Sequence, residues 1–132
     1  MMSVFGRIAL VTLLLLGGCT PKPPPEPTRL KAVDLGTGID AEHRISAPTR
    51  TFESHTPVYV SIATEGAGPA TITVQWIANT ALVKQDSQSI NPIGPANFSF
   101  TFVPPDGWPS GRSKVIFFVR EDDKHAADFE VR

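Results

Sequence analysis

Three histidines, an acidic triplet and one cysteine are the side chains of this 132-residue chain with the most chemistry to offer. To hold a metal, His43, His55 and His125 would have to converge from distant positions, since none has a partner at H-x-x-x-H spacing. Isolated in loop sequence, each reads as a solvated or capping group. Glu121-Asp122-Asp123 has the charge to attract a cation, but the spacing of an EF-hand loop is missing. Between two apolar runs it reads instead as a hydrophilic hairpin tip. The serines lack the strand–turn–helix setting of a nucleophile elbow, and no glycine-rich phosphate loop occurs. Trp108 stands between Gly107 and Pro109, where it could stack on a ligand or cover one end of a β-sandwich. The turn residues on either side favour packing. No paired, motif-spaced acid and base points to an enzyme, and nothing calls for a metal or other cofactor.

Composition bounds the rest. At 41% hydrophobic and 19% charged the chain is ordinary globular material, of a length that predicts one domain. The formal net charge of −1 leaves no electrostatic case for nucleic acid. A single cysteine, Cys19, excludes an internal disulfide.

The surroundings of that cysteine carry the most specific signal. Arg7 precedes nine residues, Ile8 to Leu16, in which only Thr12 is polar. A membrane-spanning helix needs roughly 20 apolar residues, so this run reads as the core of a secretory signal peptide. Leu16-Gly17-Gly18-Cys19 resembles the bacterial lipobox. The resemblance implies a signal peptide over 1–18, diacylglycerol on the Cys19 sulfur and an acyl group on its freed amine. Because Thr20 rather than aspartate follows, it also implies the outer membrane, with the domain in the periplasm. Two or more acyl chains give the stable attachment that one cannot. Five prolines follow between Pro21 and Pro27, a density that excludes helix and sheet interior. Residues 19–29 are accordingly expected to form a lipidated cysteine and a tether, about 28 Å from Thr20 to Thr28 at roughly 3.1 Å per residue.

From residue 30 to 132 the hydrophobic period is two. Val58, Val60 and Ile62 alternate with polar neighbours, as do Ile72, Val74, Trp76 and Ala78, then Phe98, Phe100 and Phe102. Val115, Phe117 and Val119 follow, and Ala127, Phe129 and Val131. Leu30–Leu35 reads as a first strand and Ala81–Lys84 as a short one after the Asn79-Thr80 turn. The expected class is all-β: an immunoglobulin-like antiparallel β-sandwich of about seven strands. Trp76 resembles the core tryptophan of such domains. A longer pattern joins Pro57-Val58-Tyr59-Val60-Ser61, Trp76, Gly94-Pro95-Ala96, Pro105-Asp106-Gly107-Trp108-Pro109-Ser110-Gly111 and Phe129-Glu130-Val131. It is similar to a set of small bacterial immunoglobulin-like lipoprotein domains of undefined role. Where that set has Gly-x-Tyr-x-Val, this chain has Gly111-Arg112-Ser113-Lys114-Val115, without the tyrosine.

Ile77, Ile116 and Phe118 fall out of phase with their strands, and neighbouring third and sixth strands would place them on one outer face. Such a face either docks another envelope protein or a second copy, or is covered by the segment Ile39–Phe52. The expected role is a lipid-anchored, non-catalytic envelope module that binds a protein or serves a structural purpose. An alternative is an enzyme accessory or inhibitor acting on envelope polymer or a lytic enzyme, with Trp108 and the acidic residues as its site.

Overall fold

The computed structural model describes residues 26–132; Cys19, the expected signal-peptide core and most of the proline run lie outside the described residues. Among the described residues, eight strands form two sheets. They are β1 (Arg29–Gly36), β2 (Thr51–Phe52), β3 (Val58–Glu65), β4 (Ala70–Ala78), β5 (Ala81–Ile90), β6 (Ala96–Phe102), β7 (Gly111–Phe118) and β8 (His125–Val131). One sheet runs β1-β3-β6 and the other β2-β8-β7-β4-β5. All neighbours are antiparallel except β2 and β8.

The alternation decides which side of each strand is buried. Val58, Val60 and Ile62 from β3 face Ile72, Val74 and Trp76 from β4, with Val115 and Phe117 of β7 beside them, all excluded from solvent. Each such side chain contributes about 1.5–3 kcal/mol when fully buried. Trp76 lies in the middle, and its indole N–H donates to Asp86 Oδ2 at 3.0 Å.

Two elements differ from the sequence expectation. β5 extends to Ile90, well past Lys84, although its sequence does not alternate. It is an edge strand whose inward positions, opposite Trp76, Val74 and Ile72, are Lys84, Asp86 and Gln88. Inward charge together with the bulge at Val83 is how an edge avoids pairing with other chains. β2, only two residues long, carries no periodicity and raises the count to eight.

The boundary with the tether also moves. Glu26 to Thr28 belong to the domain: the Ala67 N–H donates to the Glu26 carbonyl at 2.9 Å, and the buried Thr28 hydroxyl donates to the Gly68 carbonyl at 2.8 Å. Gly66 has φ +85°, and a side chain there would collide with the Pro27 carbonyl.

Residues 37–48 make a small hairpin bridged at Gly36–Pro48 and Ile39–Ile45. It lies over the outer face of β3 and β6, where the Ser61 hydroxyl donates to the His43 carbonyl and the Ser99 hydroxyl sits 2.8 Å from His43 Nδ1. Asp40 closes its turn by accepting the N–H groups of Glu42 and Arg44, both at 2.9 Å. The Arg44 N–H first, then that of Glu42 and the nearby guanidinium, hold the Asp40 carboxyl below its usual range and outweigh opposing desolvation.

A lowered carboxylate pKa adds stability that is complete above the unfolded value and is lost as pH falls through the folded one. The amides of Glu42 and Arg44 should therefore keep their hydrogen-exchange protection at neutral pH and lose it below about pH 4. Asp40→Asn should abolish that acid dependence. Gly36 sits under the hairpin so closely that a Cβ would overlap the Ala47 carbonyl and the Ile45 side chain. Gly36→Ala should cost about 1–3 kcal/mol in urea unfolding; an unchanged midpoint would mean that the hairpin is not seated there.

Candidate functional site

Strand register places Ile77, Ile116 and Phe118 on one surface. Opposite pairs across β4 and β7 are Thr73–Phe118, Gln75–Ile116 and Ile77–Lys114. Ile77 and Ile116 are thus diagonal neighbours, within reach of long side chains, and Phe118 lies two residues beyond Ile116. All three are half-buried on the outer face of the five-stranded sheet. Across β5 the partner of Ile77 is Leu82, which is 54% exposed. An apolar diagonal therefore runs Leu82–Ile77–Ile116–Phe118. Polar pairs flank it: Gln75 Nε2 donates to Gln85 Oε1 at 3.0 Å, Thr73 meets Ser87, and Lys114 faces Asp128 across β8. At its Phe118 end the Lys124 ammonium stands 5.0 Å from the ring centroid, while pairing with Glu121 at 3.2 Å.

The segment Ile39–Phe52, expected as one possible cover for this face, lies elsewhere. Its hairpin is bonded to Ser61 and Ser99 on the opposite sheet, and its last two residues pair with β8. Hydroxyls of Ser61 and Ser99, paired across β3 and β6, hold the hairpin on the three-stranded sheet. Leu82 was not legible as part of the patch, because reading Ala81–Lys84 as a short strand gave it no register against β4.

Trp108 does not fit a ligand-stacking role. It is 2% exposed and packs among Trp76, Phe102 and Phe129 at centroid distances of 6.2, 5.7 and 5.1 Å. Its backbone is held by Ser54, whose carbonyl accepts the Trp108 N–H at 2.7 Å and whose hydroxyl donates to the Trp108 carbonyl at 2.8 Å. Gly107 adopts φ +81°, which turns the chain inward just before it. The indole Nε1–H has no acceptor among the described residues.

The described histidines that make contacts do so with different partners in separate places. His43 contacts Ser99, and His125 meets Asp123 at 3.1 Å while stacking on Phe117. Among the described residues no group of three His, Cys, Asp or Glu could hold one metal ion. Glu121, Asp122 and Asp123 lie in the β7–β8 turn, closed by the Asp123 N–H on the Arg120 carbonyl at 2.9 Å. At the other end of the face a shallow depression is lined by Asn79, Thr80, Arg112, Ser113, Lys114 and Asp128. Arg112 pairs with Glu130 at 3.4 Å, and Lys114 stands opposite Asp128 in the β7–β8 register. Ser113, in the place of the tyrosine, is buried and its oxygen accepts the Asn79 N–H at 3.3 Å, which ties β7 to the β4–β5 turn.

No protein-family model matches the chain, and no curated protein does. Among solved structures, the CARDB domain of a Pyrococcus furiosus protein, in complex with di-metal ions, aligns over 85% of this chain and 97% of its own. Its identity is 13% and its TM-score 0.50. A β-glucosidase from Listeria innocua in complex with glucose aligns at 12% identity and TM-score 0.51, over 81% of this chain. The chain spans 16% of that enzyme's length. An immunoglobulin-like protein from Pseudomonas aeruginosa aligns at 11% identity and TM-score 0.48, covering 81% and 98% of the two chains.

The fold is an immunoglobulin-like β-sandwich. In this immunoglobulin-like domain the apolar diagonal occupies the outer face of its five-stranded sheet, with β5 as the free edge. At such low identity the likeness concerns architecture.

The inside–outside distinction along β7 is testable. Phe118→Ser should cost less than about 2 kcal/mol, because half of the ring is already wet, and unfolding should stay a single cooperative transition. Phe117→Ser, one residue away and facing inward, should remove about 3–5 kcal/mol or prevent folding. Equal losses in a denaturant titration would place Phe118 in the core.

Proposed function

We propose that this protein is a lipid-anchored, non-catalytic module of the bacterial outer membrane, with its immunoglobulin-like domain in the periplasm. One observation carries the reading: the chain's single cysteine stands directly after Leu16-Gly17-Gly18, at the end of a nine-residue apolar run too short to span a bilayer. Thioether-linked diacylglycerol and an amide-linked acyl chain at Cys19 supply the membrane attachment. Each buried methylene contributes about 0.8 kcal/mol, so the acyl chains dominate any attraction that the protein surface adds.

With Glu26 already in the domain, only residues 20–25 separate it from Cys19, a reach of about 22 Å over the seven steps at roughly 3.1 Å per residue. The domain is thereby held close to its membrane, its β4–β7 face turned sideways and open to a neighbour. The diagonal Leu82–Ile77–Ile116–Phe118, bordered by amide and hydroxyl side chains, has the make-up of a protein contact: apolar centre, polar rim. Its partner is an envelope protein or a second copy of the chain. The accessory or inhibitor reading loses its main residue, because Trp108 is inside the core.

Cys19→Ala, expressed in the native host, should move the protein out of the membrane fraction, and a salt wash should not alter the behaviour of the wild type. A variant that still sediments with membranes after that wash would overturn the lipid anchor.

A further inference from the structure

The amino-terminal entry of the domain and its most exposed apolar side chain are joined through a single loop. In residues 66–69, consecutive backbone N–H groups reach in two directions. Ala67 donates to the Glu26 carbonyl at 2.9 Å, and Gly68 donates to the Pro92 carbonyl at 3.0 Å. Glu26 is the first described residue, where the spacer meets the fold. Pro92 lies in the β5–β6 connection, and the next residue, Ile93, is fully exposed. Pro92 and Pro95 restrict the backbone around it, so Ile93 is presented outward at low entropic cost.

Strand directions agree with this placement. β1 and β4 start at this end and β3 and β5 finish there, so the Gly66–Pro69 loop, Ile93 and the β7–β8 turn share one end of the sandwich. Leu82 and the Asn79-Thr80 turn lie at the other.

We propose that the end of the sandwich through which the chain enters rests on the lipid bilayer, with Ile93 seated in the headgroup–acyl boundary. The inference rests on lipidation of Cys19. Given that anchor, seven residue steps separate Glu26 from the acylated cysteine, about 22 Å at roughly 3.1 Å per residue, and Ile93 hangs from the same loop as Glu26. A side chain that would otherwise order water is thereby offered the nearest apolar phase. Charge does not drive the contact, since Glu121, Asp122 and Asp123 outnumber Arg120 and Lys124 in the adjoining turn. The association is apolar and insensitive to salt, and it orients the domain rather than anchoring it.

The test uses the full, lipidated chain reconstituted in phosphatidylcholine vesicles. Because acylation occupies the Cys19 sulfur, Ile93→Cys and, at the opposite end and outside the apolar diagonal, Thr80→Cys each present one reactive thiol for an environment-sensitive fluorophore. Both positions are exposed, so neither substitution disturbs the core. The expected result is flotation of both proteins with the vesicles. The label at 93 should have blue-shifted emission and be quenched by headgroup spin labels, and the label at 80 should stay unshifted and quenched by aqueous iodide. If both proteins float but the two labels behave alike, the bilayer contact is wrong and the anchor stands. If neither floats, the anchor is wrong, and the contact with it.

Discussion

Trp108 closes one end of the sandwich, and both sheets depend on it. Its ring touches Trp76 of β4, Phe129 of β8 and Phe102 of β6, so a single side chain from a loop bridges three strands drawn from the two sheets. With one cysteine the chain has no covalent bolt between its layers. Tilted and edge-on aromatic pairs, each contributing about 0.5–1.5 kcal/mol beyond area burial, hold that position instead. The unpaired indole N–H is the opposing term, with a desolvation penalty of about 1–3 kcal/mol. Summed over three contacts the aromatic gain is of the same size as that penalty, and burial of the ring's apolar area adds to it.

The same division between inner and outer surfaces helps to keep the metal-ligating side chains apart among the described residues. Inward positions are mostly given over to packing, and outward ones alternate with them along the pleat, so charged groups meet within turns, as at Lys124–Glu121, or across strand register. Arg112–Glu130 is the register case, a charge pair across β7 and β8. The apolar diagonal stands out on this background because four residues from three strands break the polar pattern in step.

Much of this was legible in the sequence. Period-two runs located β3, β4, β6, β7 and β8, because each has its own buried face; Phe98, Phe100 and Phe102 announced β6 even though the rings are only half-buried at a sheet edge. Ile77, Ile116 and Phe118 were brought together by phase alone. The rest was hidden for stated physical reasons. β5 is an edge strand with inward Lys84 and Asp86, and so lacks the alternation that betrays a strand. β2 is too short to have a period. The path of residues 37–50 is set by hydroxyl contacts to Ser61 and Ser99, which depend on tertiary placement and leave no local pattern. Glu26 to Thr28 looked like more spacer, since the bonds that recruit them come from a loop some forty residues later.

Those bonds have a mechanical consequence. Tension applied at the amino terminus enters the domain at Glu26 and runs straight into β1, along the strand axis. β1 lies antiparallel to β3 over seven paired residues, from Arg29–Glu65 to Gly36–Tyr59, and that ladder is crossed at right angles by its hydrogen bonds. A pull in this direction shears the whole ladder at once instead of peeling it rung by rung. The clasp of Ala67 and Gly68 on the incoming chain must also give before the strand slides. The fold thus resists a pull applied where its first strand begins.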